Sequence, residues 1–136
     1  MIDLDGEFGA RVARHLREDV VVWMTTVTPK GSPLPSPVWF LWEGAESVLV
    51  FSRETARVRN IEANPHMSLN FDGDGRGGDI VVLSGPATIV EPPPERVDAY
   101  VEKYDEHITR IGHTPDSFRA SYSVPIRIEL TRLRGH

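Results

Sequence analysis

Val48-Leu49-Val50-Phe51-Ser52-Arg53-Glu54-Thr55-Ala56-Arg57-Val58-Arg59-Asn60-Ile61-Glu62-Ala63-Asn64-Pro65-His66-Met67-Ser68-Leu69-Asn70-Phe71 changes its hydrophobic period twice. Val48 to Ser52 is a short, largely apolar run of strand length. Between Glu54 and Asn64, Val58 and Ile61 stand three apart, the spacing of a short helix that leaves Arg57 and Arg59 on its other faces. Thr55 occupies the place of a helix N-cap, and Pro65 follows the end. Met67, Leu69 and Phe71 then alternate with Ser68 and Asn70, the pattern of a half-buried strand.

Strands dominate on both sides of this stretch. Upstream, Asp5 is placed to cap a helix running to about Asp19, with Phe8, Val12 and Leu16 on one face. Val20 to Val27 is too short and too β-branched for a buried helix and reads as the first strand. Pro29 to Pro33 is a turn, a second strand runs from about Pro35 to Trp42, and Glu43-Gly44 turns into the strand at Val48. Downstream, Asp72 to Asp79 is a polar loop, and Ile80 to Val90 is a long strand with a bulge expected at Gly85-Pro86. Pro92-Pro93-Pro94 opens a helix striped by Val97, Tyr100, Val101, Tyr104 and Ile108, and Thr114-Pro115 starts another. Val124, Ile126, Ile128 and Leu130 alternate along a last strand from Ser123 to Leu133. Short links among the strands favour antiparallel pairing. Six strands in one short chain favour a mainly β fold: a single barrel domain over residues 1–136 with peripheral helices.

The chain has 136 residues, 40% hydrophobic and 26% charged, which suits one soluble domain. A core this small is strained by enclosing a large ligand alone, and sharing a site across a dimer interface relieves that. The net charge of −5 argues against a nucleic-acid partner. No apolar run reaches membrane-spanning length, and the acidic start Met1-Ile2-Asp3-Leu4-Asp5 is unlike a signal peptide, so a cytoplasmic location is expected. The absence of cysteine removes disulfides, thiolate nucleophiles and thiolate metal sites.

Two stretches carry candidate chemistry. Phe51 to Asn60 leaves a strand through Ser52 and Arg53 and enters a helix through Thr55 and Arg57. Free amides at a helix start, a hydroxyl and guanidinium groups together suit a phosphate or another anion. The same residues also fit a solvated arginine face partly neutralised by Glu54 and Glu62, and the sequence leaves both open. In Ser36-Pro37-Val38-Trp39-Phe40-Leu41-Trp42, the prolines at 33, 35 and 37 remove ladder donors, so this strand starts at an edge or opens onto a ligand. Trp39 could stack near a planar ring, whereas Phe40 and Trp42 are expected to fill the core. Asp72 to Asp79 is neither a dinucleotide loop, since it joins two strands, nor a calcium loop, since Arg76 and Leu83 stand where acidic ligands are needed. The five histidines have no metal-ligand spacing, and no Ser/His/Asp arrangement emerges. No catalytic residue and no metal ligand is assigned, so a bound cofactor is expected to carry any chemistry.

Several stretches, in their order and spacing, resemble one known family. Trp23 to Val27, Lys30 to Pro33 and Ser36 to Phe40 are similar to the opening strands of the pyridoxamine-phosphate-oxidase-like split barrels, whose fold is also that of FMN-binding proteins. Arg57-Val58-Arg59-Asn60-Ile61 with Asn64 to Leu69 resembles the family's helix block, and Ser84 to Val90 its long strand. The resemblance is best over residues 20 to 91. It implies a six-stranded split β-barrel working as a homodimer, with two cofactor sites at the interface. It further implies that Arg57 meets the cofactor phosphate beside Ser52, Arg53, Thr55 and Asn60, and that Ser36, Pro37, Val38 and Trp39 line the ring.

The branch most resembled is an actinobacterial group using the deazaflavin coenzyme F420. The implied activity is an oxidoreductase that transfers a hydride to a small unsaturated or conjugated acceptor. An FMN-dependent oxidoreductase on the same scaffold is the alternative, as is a non-catalytic protein binding flavin, deazaflavin or haem, or a dimer without a ligand. Leu41-Trp42-Glu43 lacks the basic residue that the vitamin B6 oxidases carry there, and their C-terminal arginine and histidine motif is not evident, which argues against that substrate.

Overall fold

A computed structural model describes residues 1–136. In chain order the elements are α1 (Gly6–Glu18), β1 (Val22–Val27), β2 (Pro33–Val38), β3 (Leu41–Trp42), β4 (Ser47–Ser52), α2 (Ala56–Ala63), β5 (His66–Asn70), β6 (Val81–Ile89), α3 (Pro94–Arg110), α4 (Pro115–Ser121), β7 (Val124–Glu129) and β8 (Arg132–Gly135). All pairings are antiparallel, in the order β2-β1-β5-β6-β7-β4-β3, with β8 also on β6. The two ends of this curled sheet, β2 and β3, are joined directly through Trp39 and Phe40 without forming a ladder. The result is a barrel split at that point, with four helices around it.

Eight strands replace the expected six, and both extra breaks have long-range causes. The expected Pro35–Trp42 strand is cut because the Phe40 N–H donates to the Tyr104 hydroxyl at 2.8 Å rather than to a neighbouring strand. The expected Ser123–Leu133 strand is cut after Leu130, whose N–H still donates in the β4 register to the Glu46 carbonyl (2.8 Å), because the next N–H, of Thr131, donates to the Ser84 carbonyl of β6 instead (3.0 Å). The chain thereby leaves β4 and continues as β8 along β6.

No bulge interrupts β6 at Gly85-Pro86. Register runs unbroken from Asn70↔Val82 to His66↔Pro86. Glycine is needed at 85 for another reason: a Cβ there would lie 1.7 Å from the Glu129 carbonyl oxygen. The missing side chain admits the neighbouring main chain, as glycine inside a strand commonly does.

The barrel interior is filled by Met24, Phe40, Val48, Val50, Leu69, Leu83, Ile126 and Ile128, with Val12 and Leu16 of α1 packed against them. A second cluster lies outside the barrel, where Tyr100, Tyr104 and Ile108 of α3 meet Phe118 of α4. Trp39, Leu41, Phe51 and Tyr122 border it. The striped helix therefore packs as its period requires, and β4 is covered on both faces. No helix is long and apolar enough to cross a membrane.

Candidate cofactor site

A cavity of about 600 Å³ opens where the end of β2, the entrance of α2 and the α3–α4 cluster converge. Pro37, Val38, Trp39, Arg53, Thr55 and Arg57 all line it. These residues come from two distant stretches of sequence that β2 and the β4–α2 turn bring to one wall.

Prolines 33, 35 and 37 lie on β2, an outer strand of the sheet, where a missing N–H is tolerated. Val38 is buried and Trp39 half-buried. The indole of Trp39 is stacked on Tyr104 (centroids 4.7 Å, 6° between planes) and on Phe118 (5.6 Å, 27°). Phe118 in turn stacks on Tyr122 at 4.5 Å. The indole is thus part of an aromatic wall rather than a free-standing platform.

The opposite end of the cavity is cationic. Arg57, in the first turn of α2, is half-buried and has no carboxylate within 4.0 Å, since the chain's ion pairs all involve other residues. Burial lowers its pKa from the usual arginine value, and the neighbouring Tyr122 opposes this only in part. Arg53 is exposed, with its guanidinium carbon 4.9 Å from the centre of the Tyr122 ring. Thr55 holds the N-cap position of α2 in an extended conformation, yet its side chain makes no capping bond. Its Oγ1 is buried and has no hydrogen-bond partner.

A buried hydroxyl left unpaired costs free energy, and so does a half-buried guanidinium without an anion. One oxyanion at the helix entrance would meet both deficits, beside the Ala56 and Arg57 amides that precede the first bond of α2, from the Val58 N–H to the Thr55 carbonyl at 3.1 Å. The residues present fit a phosphate.

Three of the residues expected at the site stand away from its lining. Ser52 is fully buried, and its hydroxyl donates to the Arg53 carbonyl at 2.7 Å, which braces the turn into α2. Asn60, 4% exposed, donates from Nδ2 to Thr26 Oγ1 at 3.1 Å and ties α2 to β1. Ser36 pairs with Met24 one residue before the lining begins. Conversely, Tyr100, Phe118 and Tyr122 line the cavity, although the sequence marks Tyr100 only as a packing residue and singles out neither Phe118 nor Tyr122. The four-residue spacing of Phe118 and Tyr122 was the one local sign of a shared helix face.

No Asp, Glu, His, Cys or Lys lines the cavity. It offers positive charge, aromatic and apolar walls and main chain, but no carboxylate, imidazole or amine for acid–base work.

The family model of pyridoxamine 5'-phosphate oxidase matches residues 8–136. The chain belongs to that family. Solved structures of the same fold include a FAD-binding protein from Mesorhizobium loti, with 20% identity and a TM-score of 0.69 over 91% of this chain and 88% of that one. An F420 reductase is 21% identical, with a TM-score of 0.62 over 88% of this chain and 92% of the other. HutZ, a haem storage protein from Vibrio cholerae, is 17% identical, with a TM-score of 0.62 over 96% and 95% of the two chains. At these identities the oxidase-family fold is shared, and it serves proteins of different function. No curated protein matches the sequence.

Proposed function

We propose that the protein binds a deazaflavin of the coenzyme F420 type in this cavity and uses it to reduce a small unsaturated or conjugated acceptor. The observation that carries this reading is the uncompensated Arg57 guanidinium beside the unpartnered Thr55 hydroxyl. A reduced deazaflavin supplies a hydride from a ring carbon, so the protein need not provide an acid or base for that step.

Arg57, Thr55 and the first amides of α2 hold the phosphate, with Arg53 at the rim. The main chain of Pro37, Val38 and Trp39 meets the edge of the ring. The wall of Trp39, Phe118 and Tyr122 keeps water from one side, which strengthens the charge contacts at the phosphate end. A second copy of the chain would complete the site in a homodimer with two cofactor positions, leaving room for the acceptor beside the ring.

FMN is the second reading, because its single phosphate meets the same Arg57 and Thr55. Haem is the third reading: no histidine, cysteine or methionine lines the cavity to ligate iron, and of its two tyrosines Tyr100 is fully buried, which leaves Tyr122, the ring under Arg53, as the one candidate ligand.

Titration of the purified protein with F420 and with FMN, followed by fluorescence, tests the proposal. Saturable F420 binding that weakens in Arg57→Ala is expected, together with oxidation of reduced F420 by at least one conjugated acceptor. Tight FMN binding without F420 binding overturns the first reading in favour of the second, and binding of neither overturns both. Light scattering in solution reads the dimer directly.

A further inference from the structure

Trp39 and Phe40 lie between β2 and β3, outside any ladder. Phe40 is nevertheless fully buried, so its main-chain groups require partners. All of them come from two consecutive residues of α3. The Tyr104 hydroxyl accepts from the Phe40 N–H at 2.8 Å and lies 2.9 Å from the Phe40 carbonyl and 2.8 Å from the Val20 carbonyl. Lys103 Nζ donates to the same Phe40 carbonyl at 2.9 Å, and sits 3.8 Å from the centre of the Phe40 ring. The Tyr104 ring is also the surface on which Trp39 stacks.

Packing alone accounts for the Tyr104 ring. It does not account for an ammonium group brought to a carbonyl that a phenol already reaches. Lys103 is one of only two lysines in the chain, is half-buried, and has no carboxylate within 4.0 Å. Such an arrangement opposes stability unless position is what it secures. The segment it secures continues directly into the cavity wall.

We propose that Lys103 and Tyr104 are positioning residues, which set the Trp39–Phe40 bend and thereby the main-chain edge of Pro37, Val38 and Trp39 offered to a planar ring. This rests on the cofactor reading above. Burial lowers the Lys103 pKa to about 8, against a smaller opposing effect of Asp19. Asp19 is itself bound to His15 at 2.6 Å. Tyr104 stays a neutral phenol because burial raises its pKa. His107 lies 5.9 Å from both the Trp39 and Tyr104 rings and is the other titratable group facing the bend.

The test has two arms. Backbone amide NMR on the ligand-free protein, titrated through the Lys103 range, is expected to move the Phe40 and Trp39 amides with a midpoint near 8. That movement disappears in Lys103→Met. Cofactor titration at neutral pH is expected to show about tenfold weaker binding in Lys103→Met, with affinity rescued by Lys103→Arg and with no loss in thermal midpoint large enough to unfold the variant. Amides indifferent to both pH and Lys103→Met overturn the positioning of the bend. Wild-type affinity in Lys103→Met overturns its consequence for the ligand. If the wild type binds neither FMN nor F420, the cofactor reading fails and the ligand half of this proposal falls with it, while the amides still decide whether Lys103 sets the bend.

Discussion

The indole of Trp39 lies 4.7 Å from the phenol of Tyr104 and within 6° of parallel, so the last turn of the sheet edge is stacked on the helix that roofs the cavity. Parallel aromatic pairs contribute beyond their buried area. Trp39→Leu keeps apolar bulk but removes the stacks on Tyr104 and Phe118, and is expected to cost about 1–2 kcal/mol. Trp39→Phe should recover part of it. Urea midpoints of the two variants check this; equal midpoints for Leu and wild type would show that the stack adds nothing.

Arg57 is held in a site that opposes its charge, with no anion from the protein to offset the burial. Arg57→Met should therefore leave stability within about 1 kcal/mol of wild type in anion-free buffer, or raise it. Inorganic phosphate at constant ionic strength should raise the thermal midpoint of the wild type and leave that of Arg57→Met unmoved. A phosphate response that survives the substitution would place the anion elsewhere.

Asn60 separates support of the barrel from contact with a ligand. Its side chain spans α2 and β1 through Thr26. Asn60→Ala is expected to lower stability by about 1–2 kcal/mol without changing the affinity for FMN or F420. A drop in affinity at unchanged stability would return Asn60 to the ligand's surroundings.

At Gly85 the Glu129 main chain leaves no room for a side chain, with the carbonyl carbon 2.9 Å and the oxygen 1.7 Å from a built Cβ. The obstacle is backbone at the crossing from β7 to β8, which cannot move aside as a side chain can. Gly85→Ala should cost more than about 3 kcal/mol. A soluble variant with a near-native denaturation midpoint would show that the crossing can yield.

His15 lies between two carboxylates, with Nδ1 2.6 Å from Asp19 and Nε2 2.9 Å from Asp79, and Arg11 reaches Asp79 at 2.7 Å. Burial opposes a charge on His15, but its hydrogen bonds to Asp79 and Asp19 outweigh this and raise its pKa above 6.5. Hydrogen bonds from His15 and Arg11 lower the Asp79 pKa below 3.8. The raised histidine contributes its full stability below pH 6.5 and loses it as the pH rises through the folded-state pKa. The lowered aspartate contributes above pH 3.8 and loses it as the pH falls through its folded-state pKa. The cluster thus stabilises most between these two values. Asp79→Asn should cost about 1 kcal/mol more inside that window than about two pH units above it. Denaturation curves at the two pH values decide; a pH-independent cost would exclude the ion pair as the cause.

Features that depend on near neighbours are legible in the chain alone: strand period, helix face, the proline-marked edge of β2 and the arginine-bearing entrance to α2. Alternation at Met67, Leu69 and Phe71 needs no distant partner to be seen. Folding sets where β2 ends, because the groups that satisfy Phe40 stand on α3, far along the chain. It also decided why Gly85 is glycine, since the obstacle is the carbonyl of Glu129. Thr55 shows both levels in one residue. Its type and place announce a cap, but the hydroxyl caps nothing and is left unpartnered beside Arg57. Whether a polar group finds a partner is settled by what folding brings within about 3 Å of it, and that distance is not encoded in local spacing.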